Sequence, residues 1–161
     1  MIKIKKPKLN KVVTTEMTLE GEIFEIDLMP LPEEERLKMF RPFLKRKNVQ
    51  NPFSKQMEIT TYMDYNDEAF ANVADNLLDH VVINFRGIAD EKGSPLDGSL
   101  RENKILLGSI KVNDIEEITL VDENGQSATM HQPRERFFRT LIIDKAVELA
   151  QAIAEVERKN L

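Results

Sequence analysis

From Phe70 onward, apolar side chains return every three or four residues: Phe70, Val73, Ala74, Leu77, Leu78, Val81, Val82 and Phe85. That spacing draws one stripe along a helix, and a stripe this wide has to be buried against other elements. A helix over about 66 to 86 is therefore the piece around which any fold of this chain must be built. Asp64 or Asn66 can cap its start, and Gly87 can take the left-handed conformation that closes its end. A turn-rich link follows, Asp90-Glu91-Lys92-Gly93-Ser94-Pro95-Leu96-Asp97-Gly98. Ser99-Leu100-Arg101-Glu102 then has capping-box spacing, which predicts a short helix carrying Ile105, Leu106 and Leu107 and limited by Gly108.

Upstream, Glu20-Gly21-Glu22-Ile23-Phe24-Glu25-Ile26-Asp27-Leu28 alternates charged and apolar residues, the period of a strand with one buried face. The run from Val12 to Leu19 can pair with it across Glu20-Gly21. After Pro30 and Pro32, Glu33-Glu34-Glu35 place three carboxylates in a first helical turn, where the macrodipole favours them. Leu37, Phe40 and Leu44 would form the apolar face of that helix, with Lys45-Arg46-Lys47 at its end and Pro42 kinking or interrupting it. Residues 48 to 63 look irregular around the Asn51-Pro52 turn, with a short strand at Met57 to Tyr62. Ile118 to Val121 and Ser127 to Met130 flank Asn124-Gly125, a hairpin signal. Pro133 reads as the opening of a long helix whose face is Phe138, Leu141, Ile142, Ala146, Leu149, Ala150 and Ile153.

Together these elements predict an α+β fold: one small antiparallel sheet, made of the N-terminal strands and a hairpin at 118–130, packed against two main amphipathic helices and two shorter ones. A length of 161 residues suits one domain, here 12–161, preceded by a basic arm at 1–11 that carries Lys3, Lys5, Lys6, Lys8 and Lys11. With 41% hydrophobic and 32% charged residues, every apolar run is broken by charge before it reaches membrane-spanning length. The N-terminus lacks the apolar stretch of a signal peptide, so a cytoplasmic location is expected. There is no cysteine, which removes disulfides, thiol nucleophiles and thiolate metal sites. A net charge of -5 argues against general binding of nucleic acid.

The chain contains no phosphate-cradling glycine loop, dinucleotide fingerprint or helical pair of metal-binding histidines. The best catalytic arrangement is Asp75, Asp79 and His80, because positions four apart share one side of a helix and an adjacent imidazole can help hold a metal. Those residues also form the ordinary solvated border of the stripe. The link fails as a calcium loop: with Gly93 or Gly98 at the sixth position, the first ligand would be Ile88 or Gly93 and the twelfth Ser99 or Lys104. No cofactor is expected. Phe137 and Phe138 point about 100° apart around a helix. With Leu141 and Ile142, they are the expected partner-binding surface if one side of the last helix stays open.

The segment Asp79-His80-Val81-Val82-Ile83-Asn84-Phe85-Arg86-Gly87-Ile88, followed by Asp90-Glu91-Lys92-Gly93-Ser94-Pro95-Leu96 and Glu102-Asn103-Lys104, resembles the small tail assembly chaperones of long-tailed bacteriophages and prophages. In that family a helix ends in an aromatic-x-Gly step, an acidic Gly-x-Pro turn follows, and a second helix starts near a Glu-Asn pair. The resemblance covers about residues 75–107. It implies a protein without catalysis that binds a tape-measure-type client during tail morphogenesis in the host cytoplasm, with homo-oligomerisation as a common accompaniment. Two other expectations stand beside it: a permanent structural subunit of the tail or neck, and a metal-dependent enzyme using Asp75, Asp79 and His80.

Overall fold

The computed structural model describes residues 11–64 and 67–160; the basic arm, Lys11 apart, and the Asn66 cap lie outside that range. Strands β1 (Val13–Leu19) and β2 (Glu22–Leu28) pair antiparallel across a tight turn in which Glu20 and Gly21 have φ of 51° and 81°. Positive φ at both turn residues gives the twist that suits a two-residue hairpin. β2 alternates as its sequence does, sending Phe24, Ile26 and Leu28 into the core. Helix α1 (Glu33–Phe40) starts at the three glutamates and ends before Pro42, which sits in a single 3-10 turn, Arg41–Phe43.

The stripe from Phe70 does form a helix, α2 (Glu68–Val81), but it ends five residues early. Its cap is Asp67, whose side chain accepts the Ala69 N–H. Val82–Arg86 is instead strand β5, which joins the outer side of β2 to complete a three-stranded sheet in the order β1-β2-β5. The register of that pairing slips between Asp27 and Leu28, so that Asp27 lies opposite Asn84 and Leu28 opposite Val82. This bulge leaves Ile83 exposed and turns both Val82 and Phe85 inward. A bulged strand has thus reproduced the i, i+3 spacing of a helix, which is why the stripe seems to continue. Gly87, at φ +92°, ends a strand and not a helix.

Leaving β5, the link folds back on itself. Asp90 accepts the backbone N–H groups of Lys92 and Ser94, both at 2.9 Å, and Leu96 donates to the Ile88 carbonyl. Asp97 accepts both the N–H and the hydroxyl of Ser99, so the anchoring acid is Asp97, and no side chain caps helix α3 (Arg101–Gly108). Gly98 is needed for a close approach: a Cβ there would lie 2.2 Å from the Phe85 carbonyl oxygen. Gly108 is needed too, since a Cβ would meet Leu78 at 2.5 Å and Arg139 at 2.9 Å, where α3 wedges between its neighbours.

Two further pieces are hairpins: β3 (Leu44–Gln50) with β4 (Met57–Met63), and β6 (Lys111–Val121) with β7 (Ser127–Phe137). Each is its own two-stranded sheet, so the expectation of one sheet shared by the N-terminal strands and the second hairpin is corrected. Lys45-Arg46-Lys47 lie in β3, not at a helix end. Pro133 sits in β7 opposite Ile115, where a strand with a free edge has no need of its missing N–H. The hairpin runs over 111–137, well past 118–130, and its turn is wider than a two-residue one: Gly125 alone has positive φ, and Asp122 accepts from Asn124 and Gln126. Helix α4 (Phe138–Lys159) begins only after β7.

The class is α+β. Its core is built from β2, β5, α1, α2, α3 and α4, and none of the buried hydrophobic residues lies in either two-stranded hairpin. Among the described residues no helix is long and apolar enough to cross a membrane.

Two expected outcomes follow from this packing. Gly98→Ala, whose new methyl meets backbone, should lower stability in denaturant titration by about 3 kcal/mol, against about 1 kcal/mol for Gly93→Ala, where φ is positive but the space is open. On the outer face of the sheet, the Arg86 guanidinium and then the Thr14 hydroxyl hold the Asp27 carboxyl at about 2, below its ordinary 3.8. A depressed carboxyl stabilises the fold above its unfolded value, and that stabilisation is lost as pH falls towards 2. Asp27→Asn should therefore cost about 1 kcal/mol near neutrality, and the difference from wild type should shrink between pH 4 and pH 2, read from urea midpoints.

Candidate functional site

The residues singled out for metal chemistry are placed by α2 on its sides, and each carboxylate meets a cation from another helix. Asp75 pairs with Arg139 of α4 at 3.2 Å. Asp79 accepts Arg101 at 2.9 Å and Lys104 at 3.3 Å, both from α3. Partial burial pushes the Asp79 carboxyl up, but hydrogen bonds and charge from Arg101 and Lys104 outweigh it and hold the group below its ordinary value. His80 faces solvent. Lys104 and Arg139 are themselves buried, so these contacts fasten α3 and α4 to α2. Among the described residues no group of three or more potential ligands gathers to hold a metal ion.

The aromatic surface expected on the last helix divides. Phe138 and Ile142 are 2% and 0% exposed and belong to the core, with Phe138 against Phe24 at 5.9 Å between ring centroids. Leu141 is half-buried beside them. Phe137 precedes α4, is half-buried, and lies under the Arg139 guanidinium at 4.3 Å from the ring centroid and near Lys111 at 5.7 Å. Two of the four named residues are therefore interior, and the other two are partly covered.

Much of the open apolar surface lies elsewhere, on the two hairpins. Their facing sides frame a cleft of about 440 Å³ lined by Lys47, Val49, Glu58 and Tyr62 on one arm and by Glu116, Ile118, Leu120 and Met130 on the other. Lys47 sits over the Tyr62 ring at 5.2 Å, and Gln132 donates to Glu116 at 3.0 Å, so the walls mix apolar and charged groups. At the base of the arms, Lys45 pairs with Asp64, and Arg136 bridges Asp114 at 2.5 Å and Asp144 of α4 at 3.5 Å. Outside the cleft lining, Met57 (63% exposed), Ile115 (67%) and Val121 (61%) stand in solvent, and Ile59 (69%) borders the cleft itself. Sequence reasoning found the second arm only as a shorter hairpin at 118–130 and the first only as a strand at Met57 to Tyr62; the alternation from Lys111 to Val121 was the available signal for the longer strand.

Asp75 and Asp79, with Arg101, Lys104 and Arg139, are engaged with one another in structural pairs. Asp79→Ala would strip Lys104 of its carboxylate partner and leave it a single backbone carbonyl, also at 3.3 Å. We expect a loss of about 1 to 3 kcal/mol in thermal or urea unfolding, equal in the presence and absence of added divalent cation. Compared with protein-family models, with curated proteins and with solved structures, the chain matches none.

Proposed function

We propose that this protein is a tail assembly chaperone of a long-tailed bacteriophage or prophage, acting without catalysis in the bacterial cytoplasm. It holds a tape-measure-type client soluble until tail subunits enclose it. The observation that carries the reading is the pair of arms, with apolar side chains exposed on both sides of a cleft whose walls also carry charge. A holding surface needs that combination: apolar groups to cover a client's exposed segments and charges to keep the complex in solution. The resemblance over residues 75–107 supplies the identity of the client, and in this chain those residues form one part of the body, from within α2 through β5 into α3.

A second reading, a permanent subunit of the tail or neck, is favoured by one feature. The strands of the second hairpin are eleven residues long and, among the described residues, unpaired on their outer edges, which suits lateral addition to a neighbouring subunit. Purified virions separate the two, since a chaperone leaves before the particle is complete and a subunit stays.

Co-expression with the tape-measure-type protein of the same phage or prophage tests the first reading. Wild-type protein should raise the soluble fraction of client severalfold. Ile118→Asp with Leu120→Asp, which alter the cleft and leave the core untouched, should bring it back to the level without chaperone. An unchanged client yield with the wild type would count against the assignment.

A further inference from the structure

One border of the cleft is a strand edge. The pairing of the first hairpin is fixed at both ends, by the Asn51 N–H on the Gln56 carbonyl at 2.9 Å and by the Asp64 N–H on the Phe43 carbonyl at 3.1 Å. Hydrogen-bonded pairs alternate along an antiparallel ladder, so Glu58, Thr60 and Tyr62 direct their main-chain groups to β3. Met57, Ile59 and Thr61 lie between them and turn theirs to the other side of β4, where the sheet has no further strand among the described residues. The cleft runs along that side. Every residue of β4 from Glu58 to Tyr62 lines it, and from the hairpin's other face Ile59 and Thr61 reach it with Gln50 beside the turn, whereas Arg46 and Asn48 of β3 do not.

The side chains around this edge leave little else to be matched. Glu58 accepts from Asn51 at 3.0 Å, Glu116 accepts from Gln132 at 3.0 Å and stands 3.6 Å from Arg134, and Lys47 lies over the Tyr62 ring. The opposite wall is one face of β6 and β7, on which Ile118 pairs directly with Met130 and Leu120 follows two residues on. Free main-chain donors and acceptors beside an apolar wall suit an extended chain, which takes backbone bonds on one side and contacts for alternate side chains on the other.

We infer that the occupant of the cleft is an extended segment of the client, added as a third strand to the free edge of β4 and laying β-branched or aromatic side chains on Ile118, Leu120 and Met130. A helical segment cannot serve, because its main-chain groups are already paired within the helix. Proline at a pairing position cannot serve either, for want of an N–H. The inference rests on the reading of the cleft as the holding surface and adds what that surface selects: an extended backbone with alternating apolar side chains, not a pattern of charge. A two-stranded hairpin is marginal in water, and a third strand relieves that weakness.

The probe is a short fluorescent peptide that alternates valine and threonine and ends in lysine for solubility, and its anisotropy is read against the full chain. It should bind, and a helix-forming peptide of alanine, leucine and lysine should bind about tenfold more weakly or worse. N-methylation of alternate amides in the probe should abolish binding for one of the two sets and spare it for the other, since only one set faces β4. Thr61→Pro, which removes an outward N–H and no bond to β3, should weaken binding about threefold to tenfold at an unchanged melting temperature. If that variant unfolds the hairpin, the methylated probes decide alone. A probe bound no better than the helical peptide, methylation without regard to position, or a cleft held by a second copy that the probe does not displace would each overturn the inference. A client kept soluble by a protein that ignores the probe leaves the chaperone reading standing without the strand; a probe bound by a protein that rescues no client leaves the strand without the chaperone.

Discussion

Helix α2 cannot hide Phe70, Ala74, Leu77, Leu78 and Val81 by itself, and the rest of the body is arranged to do it. α1, α3 and α4 pack against the helix, β5 continues directly from its last residue, and the Met29 N–H donates to the Val81 carbonyl at 2.8 Å to tie β2 to the same end. With buried side chains of Val, Leu and Phe each contributing about 1.5 to 3 kcal/mol, this stripe outweighs any single polar contact in the molecule. The polar contacts then fix geometry. Lys104 and Arg139 reach Asp79 and Asp75 along the flanks of α2, and the missing side chains of Gly98 and Gly108 let the link and α3 settle directly on β5, α2 and α4.

Elements held by short-range rules were legible in the sequence. The Glu20-Gly21 hairpin, the start of α1 at three glutamates, α2 up to Val81 and α3 up to Gly108 follow from turn chemistry and periodicity. Where the reading failed, a tertiary choice had overridden a local signal. The bulge opposite Asp27 gave β5 the spacing of a helix, and Pro133, a helix opener by propensity, was absorbed by a strand with a free edge. The candidate site was less legible than the fold. Phe138 and Ile142 belong to an apolar helix face that the sequence alone does not say is covered, and the first arm looks irregular because neither of its faces is buried enough to leave a clean alternation, whereas the second was legible around Asn124-Gly125 but short of its full length.

The body and the bases of the arms use charge alike. In the body, Asp27 meets Arg86, Asp75 meets Arg139 and Asp79 meets Lys104, each pair closing a seam between elements that are distant in sequence. On the arms, charges near the base are paired in the same way through Arg136, Asp114 and Asp144.

The connectivity of the three-stranded sheet also sets an order of events as the chain leaves the ribosome. Each two-stranded hairpin joins neighbours in sequence and can zip on the microsecond scale once its last residue is free. The body has no such freedom. β2 waits for β5, more than fifty residues downstream, and the face of β2 that bears Phe24 stays uncovered until Phe138 and the rest of α4 have been made. The nascent protein therefore completes each hairpin locally before the trunk that carries it is closed.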